Sequence, residues 1–561
     1  MRGALVALVC VACGGGDQQP AVEVRAEVRL VDGSFEELTS ARSKLVDALA
    51  GAPSDAVMIA RIAEVDGLTT LLYGVPVPEE RVFAPVPPGQ PGYREWAIGK
   101  VAFELTRVRT AKEAAELDAL LADLGKTHDG DIWRRWLVGR VALVRGDRIA
   151  AAAAFQGDHR LAKIDRAMML ADDGKPGEGE KLLAADHVLA VSSRAVLRAE
   201  IDDVAGAVAD LELVKSDAPR VAAYRLLATA MIGLANERYD LVADALGKLG
   251  KMRVLPNECA LWERIAWAHL QLGRSIDKTN DHKIASISRQ RCAALGKATG
   301  DNKLLLLVDA NLNLGLGKPE QALAIAARVP SAWGKVTVAQ AAEELAMPKR
   351  VIEALDKLPL EPASSDRRVA KILALQAHAQ LATGKPRSDL LAELEAVADS
   401  AKSQRARHAL GAAYFALGDL TAAKRELRRA VEDTSAQSPN PLAFRTHQLL
   451  AEIGLATNDL ETAGPEIERA MEIHPGNATT RVIQARILLR NAEPDKALAE
   501  LAGLRTAGEL MPAAKLVAAE ALVARKEATA DQRAQAKVLI GELVGKPGVS
   551  PADLGRVAAL V

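Results

Sequence analysis

The residue types that do chemistry are all present in this chain, but their spacing does not bring them together. Nine histidines are scattered between His128 and His474. No two stand four apart with a glutamate beside the first, the spacing that places two zinc ligands and a general base on one helical face. No G-x-S-x-G turn is present to lift a serine nucleophile above a sheet. The run Gly174-Lys175-Pro176-Gly177-Glu178-Gly179-Glu180-Lys181 is glycine-rich. It lacks the closing Gly-Lys-Ser/Thr and the preceding strand of a phosphate-cradling loop, so it reads as a connection between helices. Carboxylates abound, yet nothing in their order pairs them. The expectation is a chain without catalytic residues, metal site or cofactor.

The four cysteines divide into two groups. Cys10 and Cys13 close a segment in which Arg2 is followed by a short apolar run, far below the roughly 18 residues needed to cross a bilayer. Such a segment reads as an export signal. Its end resembles the lipobox of bacterial lipoproteins, with Val11 and Ala12 before Cys13. Cys10 fits less well, because Val9 is bulky for the cleavage position, and Cys10 itself stands where the family usually has leucine. The resemblance implies a signal peptide over 1–12, a lipid on Cys13 and a tether over 13–34. Gly14, rather than aspartate, follows Cys13, which under the enteric sorting rule implies the periplasmic face of the outer membrane. Several acyl chains would give durable anchoring. An exported compartment permits a Cys259–Cys292 disulfide; two separate buried thiols acting as small hydrophobes are the favoured reading.

Composition sets the class. Hydrophobic residues make up 49% of the 561 positions but aromatics only 3%, so the apolar content is mostly Ala, Leu and Val. Small and unbranched side chains favour closely approaching helices, and the fold class expected is all-α. A formal net charge of −1 gives no basic stripe for nucleic acid. Arg134–Arg135 and Arg428–Arg429 sit near acids and read as solvated helix faces.

Along the chain, Val22 to Leu30 alternate apolar and charged residues, a strand-like leader. Helical spacing over 35–74 indicates an amino-terminal cap. Six prolines within 75–92 exclude a helix there and are expected to separate that cap from everything that follows. After this loop the sequence repeats. Leu410-Gly411-Ala412-Ala413-Tyr414 is followed by Gly418, Ala423 and Leu427; Leu450-Ala451 by Ala463, Ile467, Ala470 and Pro475; Ala485 by Ala497 and Leu501. The step from Ala463 to Ala497 is 34 residues. Gly139, Gly146, Ala151 and Phe155 form an upstream unit, and looser ones include Ala207, Leu211 and Pro219, then Trp262, Ala266 and Gly273, then Ala310, Gly317 and Ala322. Pro219 and Pro475 are expected to stop second helices.

These residues are similar to the tetratricopeptide pattern, a helix–turn–helix of about 34 residues with L-G-x2-Y and A-x3-F signatures. The resemblance covers an array over 93–545, with a cap helix over 546–561, and implies a right-handed superhelical solenoid. It further implies that first helices line a concave groove. The positions carried over are Arg405 and His408 in one unit, Arg445, Gln448 and Glu452 in the next, and Thr479, Arg486 and Arg490 after that. This polar, mostly basic line suits an acidic or carboxy-terminal segment of a partner, although each residue taken singly reads more readily as an ordinary solvated charge. Trp133, Trp136, Trp262 and Trp267 read chiefly as packing. The function expected is a membrane-anchored scaffold holding proteins or peptides at the cell envelope, in assembly or secretion. The alternatives are a component of exopolysaccharide export or peptidoglycan processing, and a cytoplasmic regulator whose amino terminus is misread.

Overall fold

A computed structural model describes residues 30–31, 33–76, 84–108, 111–236, 238–252, 259–272, 303–356, 358, 365–401, 404–432, 443–506, 509–546 and 549–561. Cys10, Cys13, Cys292 and nearly all of the alternating leader lie outside these residues, and the side chains of Cys259 and Arg405 lie outside them too. The described residues form α-helices joined in antiparallel hairpins, apart from a two-residue bridge pairing Arg505–Thr506 with Glu509–Leu510. This is the all-α solenoid of tetratricopeptide-like hairpins that composition and repeat spacing indicate.

The hairpin has a fixed internal geometry. A small residue on the first helix (Gly139, Ala167, Ala195, Ala310, Ala339, Gly411, Ala451 or Ala485) is followed seven positions later by a left-handed residue at the turn. These are Gly146, Gly174, Asp202, Gly317, Ala346, Gly418, Asn458 and Ala492, with φ between 54° and 83°. Twelve positions after the small residue comes a second one on the returning helix, such as Ala151, Gly179, Ala423, Ala463 or Ala497, and sixteen after it a filler such as Phe155, Leu427, Ile467 or Leu501. Side-chain-free or nearly free surfaces on both helices let them cross closely, and the filler lies over the first small residue: a Cβ on Gly139 would stand 2.3 Å from the Phe155 ring, and one on Gly411 2.5 Å from Leu427. In the next two units Ala451 packs with Ala463 and Ile467, and Ala485 with Ala497 and Leu501. Gly411, Ala451 and Ala485 therefore occupy equivalent places.

Asp202, Ala346, Asn458 and Ala492 hold the left-handed turn without being glycine. A Cβ in that conformation costs roughly 1–2 kcal/mol, against the smaller chain-entropy cost of glycine. Ala346→Gly and Ala492→Gly are each expected to raise stability by about 0.5–1 kcal/mol, seen as a higher urea midpoint. A lower midpoint would mean that these turns are not left-handed in solution.

The hairpin is constant; the step between hairpins is not. Successive small residues at 139, 167 and 195 are 28 apart, those at 411 and 451 are 40 apart, and those at 451 and 485 are 34 apart. Second helices supply much of the variation, running from the five residues of Pro176–Glu180 to the 17 of Lys385–Ala401. Among these steps, 34 residues separate only 451 from 485.

Two expectations need correction. The proline-rich loop joins rather than separates: helices Ala56–Tyr73 and Tyr93–Leu105, on either side of it, make the closest crossing described. A Cβ on Gly67 would stand 2.1 Å from the Gly99 carbonyl oxygen, and one on Gly99 2.3 Å from that of Ala63. Pro219 does not stop a helix but opens Pro219–Ala235 as its first residue, where the missing N–H costs nothing. Pro475 does follow a helix that ends at Ile473.

The solenoid comes back on itself. Arg220 Nη1 donates to Leu72 O at 3.2 Å, Asn477 Nδ2 to Gly315 O at 2.9 Å, and Ala478 N to Leu316 O at 3.2 Å. Gly174 also lies close to the Ser331 side chain. Partners 148 and 162 residues apart are thus in contact.

Candidate functional site

The line of residues that sequence spacing places on first helices forms a seam between repeats. His408 shares a 2.9 Å hydrogen bond with Thr446 on the next first helix, Ala443–Ala456. Gln448, itself buried, donates through Nε2 to Asn477 Oδ1 at 2.9 Å and Thr480 Oγ1 at 2.5 Å, reaching helix Ala478–Arg490 and its cap. Glu452 pairs with Arg486 at 3.5 Å. A buried amide is kept only when its bonds are satisfied, so Gln448 holds register between neighbours.

The same line also meets the preceding turn of the solenoid. Arg445 pairs with Glu344, donates to Leu314 O at 3.4 Å and lies 5.6 Å from the Phe444 ring. Thr479 packs against Gly317. Sequence reasoning could not see these contacts, because their partners lie more than a hundred residues upstream with no local signal. Arg486 and Arg490 are exposed, one helical turn apart, and Glu452 keeps 26% of its side chain accessible. Arg405 lies on helix Gln404–Ala416. Trp133, Trp136 and Trp267 are core, at 1%, 2% and 4% exposure, and Trp262 is half-buried.

Charged residues also enter the interior, a feature that no motif announces. Arg264, wholly buried on Cys259–Leu272, pairs with Glu200 through Nε and with Asp172 at 2.9 Å through Nη1. Burial pushes both carboxyls above the usual range and Arg264 opposes it. Nearer the amino terminus, Arg94 bonds Glu64 at 2.8 Å and Asp131 at 2.6 Å. Desolvation outweighs that attraction and pushes Glu64 from 4.5 to about 7. Glu344 is likewise raised to about 7, first by burial, with Arg445 opposing.

An acid whose folded pKa is raised gives stability that is complete below its unfolded pKa and lost as pH climbs through the folded value. Glu64 and Glu344 therefore make the folded chain lose stability between about pH 4.5 and 7. Glu64→Gln, which keeps the shape and removes the ionisation, should flatten that slope in melting temperatures from pH 5 to 8. An unchanged slope would show that Glu64 ionises normally in the fold.

No family model matches the chain, and no curated protein matches it. Among solved structures, the crystal structure of the APC/C hetero-tetramer Cut9-Hcn1 is similar with a TM-score of 0.32 and 13% identity, covering 91% of this chain and 96% of that one. The fold assignment rests on the hairpins themselves rather than on this likeness.

Proposed function

We propose that the chain is a scaffold that holds segments of other proteins along its stacked first helices, tethered to a bacterial cell envelope by lipid on Cys13. The observation that carries the binding reading is the seam itself. Hydrogen bonds and ion pairs from His408, Gln448 and Glu452 set three consecutive first helices side by side. A row of polar side chains then repeats at the spacing of the hairpins, which suits an extended partner segment. Arg445, Gln448 and Thr479 are committed to holding the solenoid together, so recognition falls to Arg490 and to Arg486, whose exposed side chain also pairs with Glu452 at 3.5 Å. Two arginines one turn apart favour an acidic or carboxy-terminal segment through charge-assisted bonds.

The tether reading rests on the lipobox-like residues alone. Cys13→Ser should release the chain from the membrane fraction, whereas wild-type protein that is soluble and unprocessed in its own cell would end it. For the binding reading, a peptide ending in several aspartates or glutamates is the probe. Arg486→Glu/Arg490→Glu should weaken its binding at least tenfold and leave the helical circular dichroism unchanged. Equal binding by both proteins would remove these residues from the interface.

A further inference from the structure

Between two successive turns of the solenoid lies a cavity of about 210 Å³. One wall comes from residues 171–202, the other from residues 303–336 with Leu358 and Ala370. Most of it is apolar: Leu304, Leu307, Val329, Trp333 and Val336 contribute. Its volume exceeds the roughly 150 Å³ of an apolar cavity that takes up benzene. The remaining wall includes Asp172 and Glu200, the two carboxylates that share Arg264.

The charge count at that wall does not balance. Two carboxylates face one guanidinium, and all three are at most 8% exposed. Arg148 reaches Asp172 only at 3.9 Å and is itself paired with Asp173 at 2.7 Å. Lys303 also lines the cavity, yet among the described residues it pairs with neither carboxylate. Among the described residues the buried groups at this wall thus carry one more negative charge than positive, which a further cation would offset.

We infer that this cavity is a binding site for a small apolar molecule carrying an ammonium group, its ring or chain against Leu304, Leu307 and Trp333 and its cation at Asp172 and Glu200. The Trp333 indole, stacked on Trp267 at 4.9 Å, adds an aromatic surface that favours an adjoining cation. Burial pushes both acids upward and Arg264 opposes it, so a second cation beside them favours their charged forms. The site is distinct from the seam at Arg486 and Arg490, and its failure leaves the scaffold reading untouched.

Titration calorimetry of the full chain with phenethylammonium, phenethyl alcohol and phenylacetate tests this at neutral pH. The ammonium should bind at least tenfold more tightly than the alcohol and the carboxylate weakest. Asp172→Asn, which neutralises the excess charge while leaving Arg264 its Glu200 partner, should bring ammonium and alcohol within threefold of each other. Val336→Phe, which fills the cavity, should abolish both. If that variant does not fold, the wild-type comparison stands by itself. An ammonium no tighter than the alcohol, a preference that survives Asp172→Asn, or no binding of any probe would overturn the assignment.

Discussion

Gly99→Ala is expected to destabilise the chain by about 3 kcal/mol, far beyond an ordinary surface substitution. The added methyl would stand 2.3 Å from the carbonyl oxygen of Ala63 and 2.4 Å from its carbonyl carbon. Neither is the far end of a side chain, so no rotamer change relieves the contact. The helices Ala56–Tyr73 and Tyr93–Leu105 must separate instead, which loosens Ile62, Val65, Ile98 and Val101 across the whole crossing. Close packing makes such a shift costly, because every contact lengthened loses dispersion energy at once. Gly247 provides the opposite case, an exposed glycine on Tyr239–Lys251 where a Cβ meets nothing within 4 Å. Gly247→Ala should stabilise by about 0.5–1 kcal/mol through helix propensity alone. Urea unfolding read by circular dichroism measures both. If the two substitutions shift the midpoint in the same direction, the tight crossing at Gly99 is wrong.

Arg264→Met should cost about 3–5 kcal/mol near pH 8. The side chain joins helices Arg160–Asp172 and Val188–Glu200 to Cys259–Leu272. Removing it leaves Asp172 and Glu200 buried with their mutual repulsion uncompensated, a penalty larger than the ion pairs' own contribution. The loss should shrink as pH falls, since protonation removes the repulsion, and it should largely vanish when Asp172→Asn and Glu200→Gln are added. A pH-independent loss that the added amides do not repair would show that Arg264 acts through packing.

The parts of this fold that were legible in the sequence are those carried by residues close together in the chain. Gly411, Ala423 and Leu427 lie within one hairpin, and their order alone places two helices and the turn at Gly418. The upstream hairpins carry the same internal spacing, but steps of 28 residues hide them from a search at 34. At Asp202 and Ala346 the turn lacks the glycine that would mark it. The crossing at Gly67 and Gly99 is concealed by the proline-rich loop between them, which reads as a boundary although the helices on either side meet. Contacts between turns were illegible for a different reason. Arg445 with Glu344, and Asn477 with Gly315, depend on the path of the whole solenoid, and no local periodicity encodes it. The candidate groove suffered most, because Arg445 and Thr479 of its line are spent on those contacts. Arg264, Asp172 and Glu200 each sit singly on a helix, so nothing in their neighbourhoods announced a cluster.

The return of the solenoid onto itself is what converts a row of hairpins into a packed interior with an outer seam, and one crosslink tests it. Leu316 O accepts from Ala478 N at 3.2 Å, so cysteines at these two positions lie within reach of a disulfide. In a background free of the native cysteines, Leu316→Cys/Ala478→Cys should oxidise to a single monomeric species whose thiols no longer react with maleimide. Thiols that stay reactive, or crosslinks found only between molecules, would contradict the contact between turns.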